Sequence, residues 1–188
     1  MKKSLSAYSE ATTNEQLERH IMVVWVDNEA GVLARVSGLF SGRGYNIEAL
    51  TVAQVDEEKN ISRITIVTNG TNSVIEQIKA HLLKLIPVYK VASFPVDEKS
   101  IFRELALVKV ITDKKNLEKA KKICNSYKAQ YLDTTSTSFI VEFHSTRREI
   151  DSFIKELKPY GIASIARTGP LAMAKGAEIT EPNKGKVI

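Results

Sequence analysis

The chain has a single cysteine, Cys124, in 188 residues, so no intramolecular disulfide can form. Cys124 falls at helical spacing with Leu117, Ala120 and Ile123. That placement predicts a buried structural thiol rather than a nucleophile. Long apolar runs are also missing. No stretch is long enough to span a membrane, and Met1-Lys2-Lys3-Ser4-Leu5 is not followed by an apolar segment of signal-peptide length. The expected location is a reducing cytoplasm. The three histidines, His20, His81 and His144, lie far apart, and none stands at metal-ligand spacing from another His or Cys. There is no Gly-x-Ser-x-Gly, no phosphate-binding lysine loop and no dinucleotide fingerprint. Gly42-Arg43-Gly44 carries a glycine pair but follows a helix instead of a strand. Nothing positive argues for catalysis, and no catalytic, metal or cofactor-binding residue is assigned.

What is present is ordinary for a soluble globular protein, with 43% hydrophobic and 26% charged residues. The net charge is +5 and the pI about 9.2. The lysines do not form one stripe: Lys114, Lys115, Lys119, Lys121, Lys122 and Lys128 crowd one segment, while Lys175, Lys184 and Lys186 lie near the end. Solvated helix faces and a soluble tail explain this better than a nucleic-acid or other acidic partner.

Residues 1–18 are polar and aperiodic and are expected to be a flexible extension. His20 to Val26 is a short, almost unbroken apolar run rich in β-branched residues, which suits a central strand covered on both faces. Asp27 to Gly31 breaks it. Val32, Leu33, Val36, Leu39 and Phe40 then follow at helical spacing, ended by Gly42 and Gly44. Tyr45 to Val55 reads as a strand, Ile61 to Thr68 as a half-exposed strand, Val74 to Leu82 as a helix and Val88 to Val96 as a fourth strand. The order βαββαβ is the ferredoxin-like arrangement, with two helices on one face of an antiparallel sheet and the other face left open. After a linker at 97–103 the same order recurs at an offset of roughly 80 residues. It comprises a strand at 104–111, a helix at 116–127, strands at 129–134 and 138–143, a helix at 150–157 and a closing strand at 161–167. The expected fold class is α+β, two ferredoxin-like domains in tandem over 19–96 and 104–174, with a flexible tail at 175–188.

Two loops could hold a small ligand. Asp27-Asn28-Glu29-Ala30-Gly31 leads into the first helix, whose first turn carries free N–H groups and a partial positive charge suited to a carboxylate. Gly31 lets a ligand approach the backbone. Asn28 could cap the helix or bond a ligand. The second candidate is Gly44-Tyr45-Asn46-Ile47, where a turn becomes a strand. Taken alone, each is also consistent with ordinary capping and turn chemistry.

The run Asp27 to Val36 resembles the signature of the ACT domain, an amino-acid-sensing module. Its continuation, Gly38-Leu39-Phe40-Ser41-Gly42-Arg43-Gly44-Tyr45-Asn46-Ile47-Glu48-Ala49-Leu50-Thr51-Val52, is similar to the acetolactate synthase small-subunit family in particular. Ser62 to Val67 and Arg103 to Val110 match later motifs of that family. The resemblance covers about residues 20 to 174. It implies an N-terminal ACT domain and a C-terminal ACT-like domain, with N-terminal domains paired as a homodimer. A branched-chain amino acid, usually valine, would bind between them as feedback inhibitor. Asn28 and Gly31 would hold its polar end, the backbone of Val32 and Leu33 would help, and Asn46 and Ile47 would close the site from the facing subunit. The implied partner is the catalytic subunit of acetolactate synthase, which condenses pyruvate using thiamine diphosphate, magnesium and FAD. Those cofactors belong to that partner, and this chain is expected to be its non-catalytic regulatory subunit. The rivals are a free-standing ACT-domain sensor, which would lack the Arg103 to Val110 motif, and an RNA-binding module. The latter would need aromatic residues on its central strands, whereas Ile61 to Thr68 has none.

Overall fold

The computed structural model describes residues 17–95 and 100–177. Residues 1–16 of the extension expected at 1–18, residues 97–99 of the expected linker and residues 178–188 of the expected tail lie outside these; Glu18, the last residue of the expected extension, already belongs to the first strand. The described residues fall into two units, one of 17–101 with 172–177, the other Phe102–Leu171.

In the first unit the elements are β1 (Glu18–Asp27), α1 (Val32–Gly42), β2 (Ala49–Asp56), β3 (Ile61–Gly70), α2 (Asn72–Leu82) and β4 (Val88–Pro95). The strands lie in the order β2-β3-β1-β4, and every pairing is antiparallel. This is the expected ferredoxin-like order. Alternation along β1 puts Met22, Val24 and Val26 on the helix side. There they meet Val32, Val36, Leu39 and Phe40 of α1, Ile75, Ile78 and Leu82 of α2, and Ile64 and Ile66 of β3. Burial of these stripes, not helix propensity, accounts for two helices of only 11 residues each.

Three features differ from the sequence expectation. β2 begins at Ala49, because residues 45–48 bend inward. The Tyr45 N–H bonds the Phe40 carbonyl, the Tyr45 ring meets Phe40 edge-on at 6.0 Å, and Ile47 packs on the same core. The second face of the sheet is not open, since Ile21, Val23, Trp25 and Val67 are buried there. Arg63 stacks over Trp25 at 5.7 Å and donates to the Ala172 carbonyl. Finally, residues 100–103, assigned to the linker, are already strand, the first residues of a β-strand that runs on to Ile111.

The second unit repeats the order with β5 (Ser100–Ile111), whose first two residues fall in the first unit, α3 (Lys114–Ser126), β6 (Gln130–Thr134), β7 (Ser138–Ser145), α4 (Arg147–Leu157), a 3-10 turn at Lys158–Tyr160 and β8 (Ile162–Arg167); β9 (Leu171–Ala174) follows, with all but its first residue counted in the first unit. Its strand order β6-β7-β5-β8 mirrors that of the first unit, and β9, which the four-residue run Leu171-Ala-Met-Ala does not announce, pairs with β5. α3 is capped by Asp113, whose carboxylate accepts from the Lys115 and Asn116 N–H groups. α4 carries a full capping box between Thr146 and Glu149. The core joins Ala106, Val108 and Val110 to Leu117, Ala120, Cys124, Phe139, Val141, Ile150 and Phe153. Cys124 is fully buried there, and burial pushes its thiol pKa up to about 11, the setting of an inert structural cysteine.

Candidate functional site

The β1–α1 junction has the chemistry of an anion site. Gly31 is the N-cap of α1 in the left-handed conformation, with φ 84°, and no side chain caps the helix. The sequence allowed Asn28 to be that cap, but it is not. The Val32 N–H faces the Glu29 carbonyl at 3.4 Å, and the Arg35 N–H bonds the Gly31 carbonyl at 3.0 Å. The N–H groups of Leu33 and Ala34 have no protein partner among the described residues. They point out of the helix end, where the dipole favours negative charge. A Cβ placed on Gly31 would meet nothing within 4 Å, so the space in front of this end is open.

Asn28 sits beside this opening with its side chain directed to β3. Its Oδ1 accepts from Ser62 Oγ at 3.0 Å. Its backbone bonds Asn60 twice, through N–H to the Asn60 carbonyl at 2.8 Å and from Asn60 Nδ2 to its own carbonyl at 3.2 Å. One residue earlier, the Asp27 carboxylate accepts from the Tyr89 hydroxyl on β4, and that hydrogen bond and burial push the Tyr89 pKa up to about 12. The loop is thus held from β3 on one side and β4 on the other. Val32 turns its side chain into the core, whereas Leu33 stays 43% exposed beside the opening.

Asn46 and Ile47 are not brought to this place. The Asn46 carbonyl accepts from Thr68 Oγ1 at 2.7 Å. Thr68 pairs with His20 near the start of β1, whereas Ser62 pairs with Val26 at its end. The two candidate loops lie at opposite ends of α1, whose 11 residues span about 16 Å. A single chain does not assemble all six predicted site residues.

Ser62, Asn60 and Tyr89 contribute to the junction without having been assigned to it from the sequence; Ser62 opens a family motif, but nothing in that motif tied it to Asn28. Ser62 is separated from Asn28 by 34 positions. Only the antiparallel β1–β3 pairing, which the βαββαβ order implies, could have placed it there.

Among the described residues no group of three or more His, Cys, Asp or Glu is disposed to hold a metal, and no helix is long and apolar enough to cross a membrane. His20 is buried, and burial lowers its pKa against the opposing pull of Glu18 and Glu76. His144 is exposed on β7 near Glu142.

Comparison with known proteins gives two family matches in the order of the two units. Residues 22–90 match the acetohydroxyacid synthase small subunit-like ACT domain, and residues 103–176 match the small subunit of acetolactate synthase. The probable acetolactate synthase small subunit of Archaeoglobus fulgidus is 39% identical over 158 residues, covering 84% of this chain and 98% of that protein. The chain belongs to the acetolactate synthase small-subunit family. The small subunit of Aquifex aeolicus is also 39% identical, over 88% of this chain and 86% of its own length. The crystal structure of the Thermotoga maritima small subunit superposes with a TM-score of 0.79 at 32% identity, covering 85% of this chain and 99% of that one. The resemblance drawn from the Asp27 to Val52 and Arg103 to Val110 motifs therefore holds across both units. The role of a chain of this family is that of the small, non-catalytic subunit. The match over 103–176 also separates it from a free-standing ACT-domain sensor.

Proposed function

We propose that this chain is the regulatory subunit of acetolactate synthase, acting in the cytoplasm. It binds and activates the thiamine-diphosphate-dependent catalytic subunit and confers feedback inhibition by valine or another branched-chain amino acid. The observation that carries the reading is the α1 N-terminus, uncapped and open in front of Gly31, with Asn28 beside it. Outward N–H groups and a positive helix end suit the carboxylate of an amino acid. The exposed Leu33 side chain suits an isopropyl group nearby.

Asn46 and Ile47 complete the site from a second copy. Because the two loops occupy opposite ends of α1, a twofold axis that sets two α1 helices side by side and antiparallel aligns Asn28 of one chain with Asn46 of the other. The bound amino acid then bridges the pair and biases its arrangement, and the catalytic subunit responds to that bias. Inhibition requires the amino acid to bind the inhibiting arrangement more tightly than the activating one. Thiamine diphosphate, magnesium and FAD belong to the catalytic chain in this reading.

The test is reconstitution with the catalytic subunit. Adding the chain raises acetolactate formation, valine lowers it again, and Asn46→Ala weakens the inhibition without removing the activation. A chain that neither stimulates the catalytic subunit nor binds valine, leucine or isoleucine would overturn the proposal.

A further inference from the structure

Asn28 is exposed, yet its amide is held in place. Ser62 Oγ donates to Asn28 Oδ1 at 3.0 Å, and Ser62 itself is only 4% exposed. Ser62 belongs to β3, which is paired on both sides by β1 and β2, so its hydroxyl is mounted on an interior strand of the sheet. Behind Asn28, Asn60 adopts the left-handed conformation with φ 53° and bonds the Asn28 backbone on both its N–H and its carbonyl. Gln54 Nε2 reaches Asn60 Oδ1 at 3.4 Å and steadies it in turn.

An exposed asparagine with no such support rotates about two torsions and can present either its oxygen or its nitrogen. An amino-acid carboxylate needs a donor, which only Nδ2 supplies. With Oδ1 engaged, Nδ2 is left on the other side of the amide, and it has no protein partner among the described residues. A donor already set in its binding orientation loses less conformational freedom when the ligand arrives.

We infer that Ser62 is a positioning residue of the amino-acid site, its hydroxyl turning the Asn28 amide so that Oδ1 faces the sheet and Nδ2 faces the ligand carboxylate. Asn60 holds the Asn28 backbone from behind. The inference rests on Asn28 being an effector ligand, and the experiment separates the two claims.

Valine binding is measured by titration calorimetry on the full chain, and activation is measured in the complex with the catalytic subunit. Ser62→Ala weakens valine binding roughly five- to tenfold, the effect of one lost hydrogen bond, and shifts valine inhibition of the complex to correspondingly higher concentration. Ser62→Thr keeps the hydroxyl and restores the affinity. In an Asn28→Ala background, Ser62→Ala has no further effect on valine affinity, a coupling that a merely structural serine would not produce. Should Ser62→Ala not fold, Ser62→Cys keeps the volume with a weak donor and gives the same loss. Wild-type affinity in Ser62→Ala while Asn28→Ala is impaired overturns the inference and leaves the site standing. Additive losses in the double variant overturn it as well. Wild-type affinity in Asn28→Ala, or no binding of valine, leucine or isoleucine by the unaltered chain, removes the site and this inference with it.

Discussion

Replacing Gly31 by aspartate should separate folding from effector binding almost completely. Gly31 has φ 84°, where an L side chain costs about 1–2 kcal/mol, less for aspartate, which tolerates this region. The added Cβ meets nothing within 4 Å, so no steric cost adds to the backbone one. A carboxylate at the N-cap of a helix without a side-chain cap also gains about 0.5–1 kcal/mol from the first-turn N–H groups and the dipole. The net change in stability is therefore small, within about 1 kcal/mol. The same carboxylate stands where the carboxylate of the amino acid should lie. Two negative charges about 4 Å apart near a protein surface repel by about 4 kcal/mol, which is roughly a thousandfold in affinity. The assay is thermal unfolding with and without valine. At about 100 times its dissociation constant valine should stabilise the wild type by about 2.7 kcal/mol, a rise of roughly 5–10 °C for a chain of this length. Gly31→Asp should unfold close to the wild-type temperature and show no valine shift, while still activating the catalytic subunit. A retained valine shift would refute the site. A loss of more than about 3 kcal/mol in stability would refute the reading of Gly31 as an open, cheaply substituted position.

Two further outcomes follow from the fold. Gly161 has φ 88°, and a Cβ there would sit 2.5 Å from the Ile111 carbonyl oxygen, so Gly161→Ala should destabilise the second unit by about 2–4 kcal/mol in urea denaturation; a cost under 1 kcal/mol would show that the β5–β8 junction yields freely. His20, buried in β1, has its pKa lowered from 6.5 by burial, against the pull of Glu18 and Glu76. Between its folded and unfolded pKa the unfolded state takes up the proton, so stability is full above about pH 6.5 and declines as the pH falls below it. His20→Leu should flatten that part of the pH profile, and an unchanged slope in denaturation midpoints between pH 7 and 5 would assign it to other groups.

The sequence by itself determined the element order, because the helical and strand periods of the apolar residues are written locally. Val32, Val36, Leu39 and Phe40 mark α1 without reference to any distant residue. The same holds for Asp113 and Thr146, whose caps sit next to the turns they close. The sequence also pointed to Asn28, Gly31 and the neck of α1, since glycine at a helix start and an amide beside it are local chemistry. Boundaries that depend on a distant partner were not readable. β5 begins already at Ser100, inside the expected linker, and residues 45–48 leave the strand because Tyr45 and Ile47 find the core under α1. The unbroken apolar run of β1 announced a strand covered on both faces, whereas the βαββαβ order with both helices on one side left the face of Ile21, Val23 and Trp25 open; the folded chain buries it. The orientation of Asn28 was likewise a tertiary decision. It is set by Ser62, 34 positions away, through the antiparallel register of β1 and β3. The separation of Asn28 from Asn46 was by contrast local information, since one precedes α1 and the other follows it; what a linear motif could not record was which way the folded sheet turns the Asn28 amide.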